Sequence, residues 1–316
     1  MKKFATSLQM NRSVEGFICG AIGVLSFSLT LPATRLAVAS FDPVIVGLGR
    51  ALVAACFAVP LLFLTKQKMP TRVQWQGLSV VVAGVIIGFP LLTARAMREV
   101  PVSHGAVFLG LIPLATAITG AIRSGERPSL TFWISSVLGS FAVLAYTLSA
   151  GGGHFSMADF ALLAAVIMAA LGYTEGAMLA KTLGSWQVIC WALLMSVPVL
   201  IVPLSIAIYT HGLVATPTSW AGLMYVSLVS MFLGFFAWYH GLKVGGIARV
   251  SQLQLLQPFI TQAVAAAFLG EYIRPEALLC ATVVASFIFF SSRSRVRLSA
   301  AVQRDTQQSC EEATAK

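Results

Sequence analysis

Three ionisable side chains stand inside long apolar runs of this 316-residue chain: Arg35, Arg50 and Glu175. A charge in the hydrocarbon core of a bilayer costs about 2.5–3.5 kcal/mol on insertion scales, so each needs a reason and a partner. Glu175 falls about five residues, or roughly 7 Å, from the end of its run at the helical rise. It could face a cavity and bind an ammonium group or take up a proton; equally, it could be an interfacial carboxylate satisfied by Lys181 or a loop arginine. Arg50, about seven residues into its run, could meet a substrate carboxylate or a carboxylate such as Asp42. A guanidinium does not titrate at useful pH, so Arg50 is no proton carrier, and a structural pairing is the preferred reading. Arg35 lies one turn from the end of its run and can snorkel to the interface.

Polar and aromatic groups add a second set of candidates. The run 247–269 carries Gln252, Gln254, Gln257, Thr261 and Gln262, too many amides for lipid. Gln254, Gln257 and Thr261 follow a three-then-four spacing that puts them on one helical face. Such a face can bond neighbouring helices at about 0.6 kcal/mol per contact. It can also line a cavity, and Pro258 in the same run frees a backbone carbonyl there. Among the aromatics, an interfacial belt explains Tyr239. Trp238 is a candidate cavity wall suited to amphipathic metabolites, and Tyr173 is a further candidate from a different run.

The elements that position these groups follow from composition. The chain is 58% hydrophobic and 10% charged, with a mean hydropathy of +0.86, whereas a soluble domain has about a quarter charged residues. Lipid is therefore the expected solvent. A transmembrane helix needs about 20 apolar residues. Ten such runs fall near 16–38, 43–65, 74–94, 101–123, 130–150, 158–180, 186–209, 218–240, 247–269 and 276–293. Their connections are too short for a soluble catalytic domain. Residues 1–15 are polar and basic, and the run after them is too long for a removed signal peptide. Residues 294–316 form a polar tail, expected to be disordered from Gln303 onward.

The formal charge of +10 reads as a topology signal. With the N-terminus inside, 16 Lys and Arg fall in cytoplasmic segments against three outside, Arg95, Arg98 and Arg274. The positive-inside rule then places both termini in the cytoplasm. Arg95 and Arg98 are the exceptions: either the third helix ends early or these side chains have a task. Nucleic acid is discarded as a partner. The scattered cysteines and histidines offer no metal-ligand spacing, and no cofactor is expected. Neither a nucleophile motif nor a phosphate-binding loop followed by Lys is present, which argues against an enzyme and a self-contained ATP-driven pump.

The chain also matches itself. An offset of 145 residues brings Leu111, Pro113, Thr116, Ala121, Gly125 and Glu126 onto Leu256, Pro258, Thr261, Ala266, Gly270 and Glu271. The offset equates the fourth run with the ninth, so the repeat unit is five helices, 16–150 and 158–293. An odd number of crossings inverts one copy relative to the other, an architecture common in secondary transporters. Glu126 and Glu271 fall about 20 Å beyond their prolines, in the loops, where the expected role is structural: closing the turn after a C-terminal glycine and pairing with nearby arginines.

The segments from Pro113 to Gly125-Glu126 and from Pro258 to Gly270-Glu271 resemble the EamA-like branch of the drug/metabolite transporter superfamily. Pro32 with Arg35, Arg50, and Gly172-Tyr173-Thr174-Glu175-Gly176 support the resemblance, which spans nearly all of 15–295. It implies an all-α membrane protein of ten helices in two inverted five-helix repeats, a carrier of amino acids or related metabolites in a bacterial inner membrane, with export the expected direction. Its partners would be a small-molecule substrate and membrane lipid. Protons are a candidate coupling ion and a homodimer a candidate assembly, although one inverted-repeat chain can form a complete pathway. The competing class is a membrane receptor or scaffold that does not transport. Topology is checked with reporters: alkaline phosphatase, which needs an oxidising compartment, should be inactive when fused after Lys316 and active when inserted beside Gly212.

Overall fold

A computed structural model describes residues 2–150 and 156–270, with short pieces between 282 and 298. Nearly all of it is helical, because a chain in lipid must satisfy its backbone N–H and C=O groups internally. Helix α1 (Lys2–Ser28) is followed after Leu29 by α2 (Thr30–Val38) and then α3 (Pro43–Leu64). α4 (Arg72–Val81), a π-helical stretch Val82–Gly88 and α5 (Phe89–Glu99) run on as one rod, followed by α6 (Val102–Leu109), α7 (Ile112–Ser124) and α8 (Leu130–Ala150). The second half holds α9 (Met157–Leu183), α10 (Ser185–His211) and a rod of α11 (Pro217–Met224), π-helical Tyr225–Leu233 and α12 (Gly234–Gly245). It continues with α13 (Ile247–Ser251), a 3-10 stretch Gln252–Leu256 and α14 (Gln257–Leu269).

Six described helical stretches are long and apolar enough to cross a membrane: Ser13–Val38, Pro43–Leu64, Arg72–Glu99, Met157–Leu183, Ser185–His211 and Pro217–Gly245. The third extends to Glu99, past the expected end near 94, so Arg95 and Arg98 are helical residues rather than loop residues. The tenth run at 276–293 and Glu271 lie outside the described residues, apart from short helical pieces within that run. Large apolar side chains face outward, among them Phe63, Ile122, Phe160 and Val202, as expected for a protein whose solvent is lipid.

Local chemistry sets the helix ends. Asp42 caps α3 by accepting from the Val44 N–H at 2.8 Å, with Pro43 at the first position, where a missing N–H costs nothing. Thr71 and Gln74 form a reciprocal capping box on α4. α7 and α14 both stop at a glycine in the left-handed region, Gly125 (φ 68°) and Gly270 (φ 70°), where a side chain would be strained. The conformation tracks the 145-residue offset elsewhere too. Both long rods contain a π stretch at corresponding positions, and both Pro113 and Pro258 follow a break in their helices.

Helix α1 packs closely on α12 through glycines: a Cβ on Gly241 would lie 2.7 Å from the Gly20 nitrogen, and one on Gly16 would lie 2.6 Å from the Gly245 backbone. The start of the polar tail, ahead of the part expected to be disordered, contributes a short strand. β2 (Val296–Leu298) pairs antiparallel with β1 (Glu126–Pro128).

The sequence reading expected Glu126 to pair with a nearby arginine; among the described residues it forms no ion pair and binds backbone instead. Its carboxylate is 7% exposed and accepts from the Ile247 and Ala248 N–H groups at 2.9 and 2.8 Å. The left-handed Gly125 turns the chain there, and the first N–H groups of α13 have no intrahelical acceptor. A carboxylate at that end also complements the helix dipole. Glu126→Ala should therefore cost about 2–3 kcal/mol for two charge-assisted bonds. Thermal unfolding of the purified protein should show a clearly lower Tm, with the KM of the folded fraction unchanged.

Candidate functional site

Pro32 has no N–H to give the Ser28 carbonyl, the ordinary acceptor four residues earlier. The break between α1 and α2 falls at this point, and α14 supplies the missing donors. The Thr261 hydroxyl donates to Ser28 O at 2.7 Å, and Gln257 Nε2 reaches Phe27 O at 3.5 Å. Pro258 likewise orphans the Gln254 carbonyl, and the 3-10 stretch before it repairs the loss by directing the Gln257 N–H to Gln254 O. The Gln/Thr face of α14 is thus held against a broken α1, with Gln257 at the break.

A cavity opens beside this junction. Phe27 and Thr30 line it from the α1–α2 break, Arg50 from α3, Tyr173 from α9, Ser230 from the second π stretch and Gln257 from α14. Val85 of the first π stretch, Met231 of the second, Phe89 and Phe235 complete much of an apolar wall. The walls nearly close on one another, leaving about 10 Å³, room for a single water. Arg50 is 2% exposed. Its Nη2 donates to Ser230 Oγ at 2.9 Å, and Ser230 is hydrogen-bonded to Thr30 at 2.8 Å. Arg50 Nε and Gln257 Oε1 are buried with no hydrogen-bond partner among the described residues. Among the described residues no carboxylate lines the cavity. A guanidinium so placed is an unneutralised charge in a low-dielectric site, costly unless an anion arrives.

Of the residues singled out from sequence, Arg50, Tyr173 and Gln257 meet in this cavity. Trp238 lies behind it, fully buried, edge-on to Phe27 and Tyr173 at 5.9 and 5.5 Å. Gln254 is buried nearby beside the Tyr173 hydroxyl, and Thr261 is committed to Ser28 O. Glu175 stands apart, paired with Arg123 of α7 at 2.8 Å; Thr174, the residue before it, shares a 2.7 Å bond with Thr119, one turn before Arg123 on α7, so the two contacts together hold α7 on α9. Tyr239 is not a belt residue: it is fully buried and donates to Gly172 O at 3.2 Å. Asp42 is not the partner of Arg50, since eight residues along one helix separate them by about 12 Å; it faces Arg98 at 3.6 Å instead. Arg35 turns inward rather than snorkelling and bonds the Met97 and Val100 carbonyls at the end of α5.

Thr30 and Ser230 escaped the sequence reading because lone hydroxyls in apolar helices commonly bond their own preceding turn. The available signal was indirect: Thr30 stands two residues before Pro32. The π stretches leave no composition signal, although such irregularities concentrate at functional sites.

The comparisons with known proteins agree with this architecture. The model of the EamA-like transporter family matches residues 14–148 and 156–293. A Bacillus subtilis (strain 168) protein named "Uncharacterized transporter YdeK" is 48% identical over 270 residues, covering 83% of this chain and 91% of that protein. A "Probable terminal-alkyne amino-acid exporter" of Streptantibioticus cattleyicolor is 26% identical over 187 residues, covering 57% of this chain and 61% of that protein. A solved crystal structure shares the fold with a TM-score of 0.73 at 13% identity, covering 89% of this chain and 99% of that one. With the family model spanning both halves and six apolar helices long enough to cross a bilayer, the chain is an integral membrane protein that belongs to the EamA-like transporter family.

Proposed function

We propose that this protein is a secondary carrier that exports amino acids or related carboxylate-bearing metabolites across a bacterial inner membrane, by alternating access around Arg50. The observation that carries the proposal is the buried guanidinium with a free Nε and no carboxylate in its cavity. A substrate carboxylate neutralises it through charge-assisted bonds. Gln257 Oε1 can accept from an ammonium or amide, and the Phe27, Phe235 and Tyr173 rings suit an apolar side chain. The relative named as an amino-acid exporter supports this substrate class.

Ten helices in two inverted five-helix repeats remain our reading of the architecture. The paired π stretches, helix breaks and left-handed glycines at the 145-residue offset support it. The nearly closed cavity fits an occluded state, from which the two halves would rock apart in alternation. Arg50 with Thr30 from one half and Ser230 from the other make a link that a substrate carboxylate would compete for, coupling its arrival to movement.

Counterflow of labelled amino acids and related metabolites in proteoliposomes tests the proposal. Wild type should show saturable exchange. Arg50→Gln should raise KM about 10- to 100-fold, the loss of a bond to a charged group, and Arg50→Lys should rescue it only in part because an ammonium lacks the planar fork. Absence of exchange in well-folded wild type across a broad panel would sink the reading.

Proton coupling, where it operates, is assigned to Glu175, the internal acid whose only titratable partner in an ion pair is Arg123 among the described residues. Glu175→Gln should abolish accumulation driven by a pH gradient while leaving counterflow, which requires no net proton movement; loss of both to the same degree would mean a structural role alone.

A further inference from the structure

Arg95 and Arg98 break the charge rule and remain unused by the central cavity. On the proposed topology they lie at the outer face, where basic residues are disfavoured. The structure shows what they border. A cavity of about 580 Å³ is lined by Arg95 and Arg98, by the carboxylates Asp42 and Glu99, and by an apolar floor that includes Leu91 and Leu92. A second, of about 280 Å³, shares Arg98 and is walled by Arg35 and Val38. Arg98 reaches Asp42 only at 3.6 Å and stays 60% exposed, and Arg35 is committed to backbone carbonyls. Arg95 is exposed and forms neither a hydrogen bond nor an ion pair among the described residues.

The position of this vestibule is fixed by the helices that wall it, since the same three carry residues of the central cavity. α2 places Thr30 in the cavity and Arg35 in the vestibule; α3 places Arg50 in the one and Val44 in the other; α5 places Phe89 and Arg95. Five or six residues separate the members of each set, about 8–9 Å at the helical rise. The vestibule therefore stands one to two turns above the cavity on the same three rods. Its charge differs from that of the central cavity: three guanidiniums, Arg35, Arg95 and Arg98, stand among two carboxylates, Asp42 and Glu99, beside an apolar floor of Leu91, Leu92 and Val44, and the formal balance is positive.

We propose that the Arg95–Arg98 vestibule is a second, weaker binding station for the carboxylate of the carried metabolite, occupied at the outer mouth. The identity of the ligand rests on the function proposed above; the presence of an anion site does not. The three shared helices favour the substrate carboxylate over a phospholipid headgroup, the other anion within reach.

The test reads local potential without transport. In a protein whose other cysteines are replaced by serine, Leu92→Cys, with Val44→Cys as a second reporter, is labelled in neutral-lipid nanodiscs with an anionic sulfonatoethyl or a cationic trimethylammonium-ethyl methanethiosulfonate. The anionic reagent should gain at least about threefold over the cationic one, relative to a free thiol, from the local positive field. Millimolar hexanoate should slow labelling where hexanol does not. Both effects should vanish in Arg95→Gln/Arg98→Gln, which should also raise the KM for substrate presented outside and leave kcat unchanged. An unchanged reagent ratio in the double variant, or equal protection by hexanoate and hexanol, overturns the proposal. Protection by anionic phospholipid without protection by hexanoate overturns it in favour of a headgroup site. Protection by hexanoate in a protein that exchanges no metabolite would leave the anion site standing and remove the carrier reading, whereas exchange without protection does the reverse.

Discussion

The carbonyl of Ser28 has to be bonded, and Pro32 removes the group that would ordinarily bond it. In water this would matter little. In a bilayer an unpaired backbone carbonyl costs several kcal/mol, so a proline near the middle of an apolar helix obliges some other element to bring a donor. Here α14 does so with Thr261 and Gln257, and in docking there it sets Gln257 at the edge of a cavity whose opposite side holds Arg50. The break in α1 is thus a cause of the site and not an irregularity beside it.

The same logic repeats through the molecule. Pro258 is repaired by a 3-10 stretch within its own helix, and the two long rods each relax into a π stretch that points residues into the cavity, Val85 from one and Ser230 with Met231 from the other. Glu126 closes the account at a helix end, bonding the open N–H groups of α13 across the fold. Each device satisfies backbone groups that a continuous helix would have satisfied alone. The resulting joints, rather than the straight segments, are where the protein carries polar chemistry.

Charge is treated with equal economy. Most ionisable groups near the described helices have partners: Glu175 with Arg123, Asp159 with His104 at 2.6 Å, Asp42 with Arg98. Arg35 caps the end of α5. Against that background the buried guanidinium of Arg50 is bonded to one neutral hydroxyl and has no carboxylate beside it among the described residues.

The sequence by itself determined the solvent, the helical class and the 145-residue self-match, and it marked Arg50 as a charge inside an apolar run, because these rest on composition, spacing and the cost of a charge in hydrocarbon, all readable along one strand of text. It also marked the Gln/Thr face of its ninth run, since amides are rare in lipid. Partners were another matter. Asp42 seemed a neighbour of Arg50 in sequence and is two turns away on the same rod. Tyr239 read as an interfacial ring and is buried because Gly176 lacks a side chain: a Cβ there would lie 2.3 Å from the Tyr239 ring. Ser230 meets Arg50 across 180 residues, and nothing local to either announces the other. A periodic pattern fixes which face of a helix is polar, but only the packing of several helices, set by glycine contacts and by carbonyls seeking donors, decides which polar faces meet.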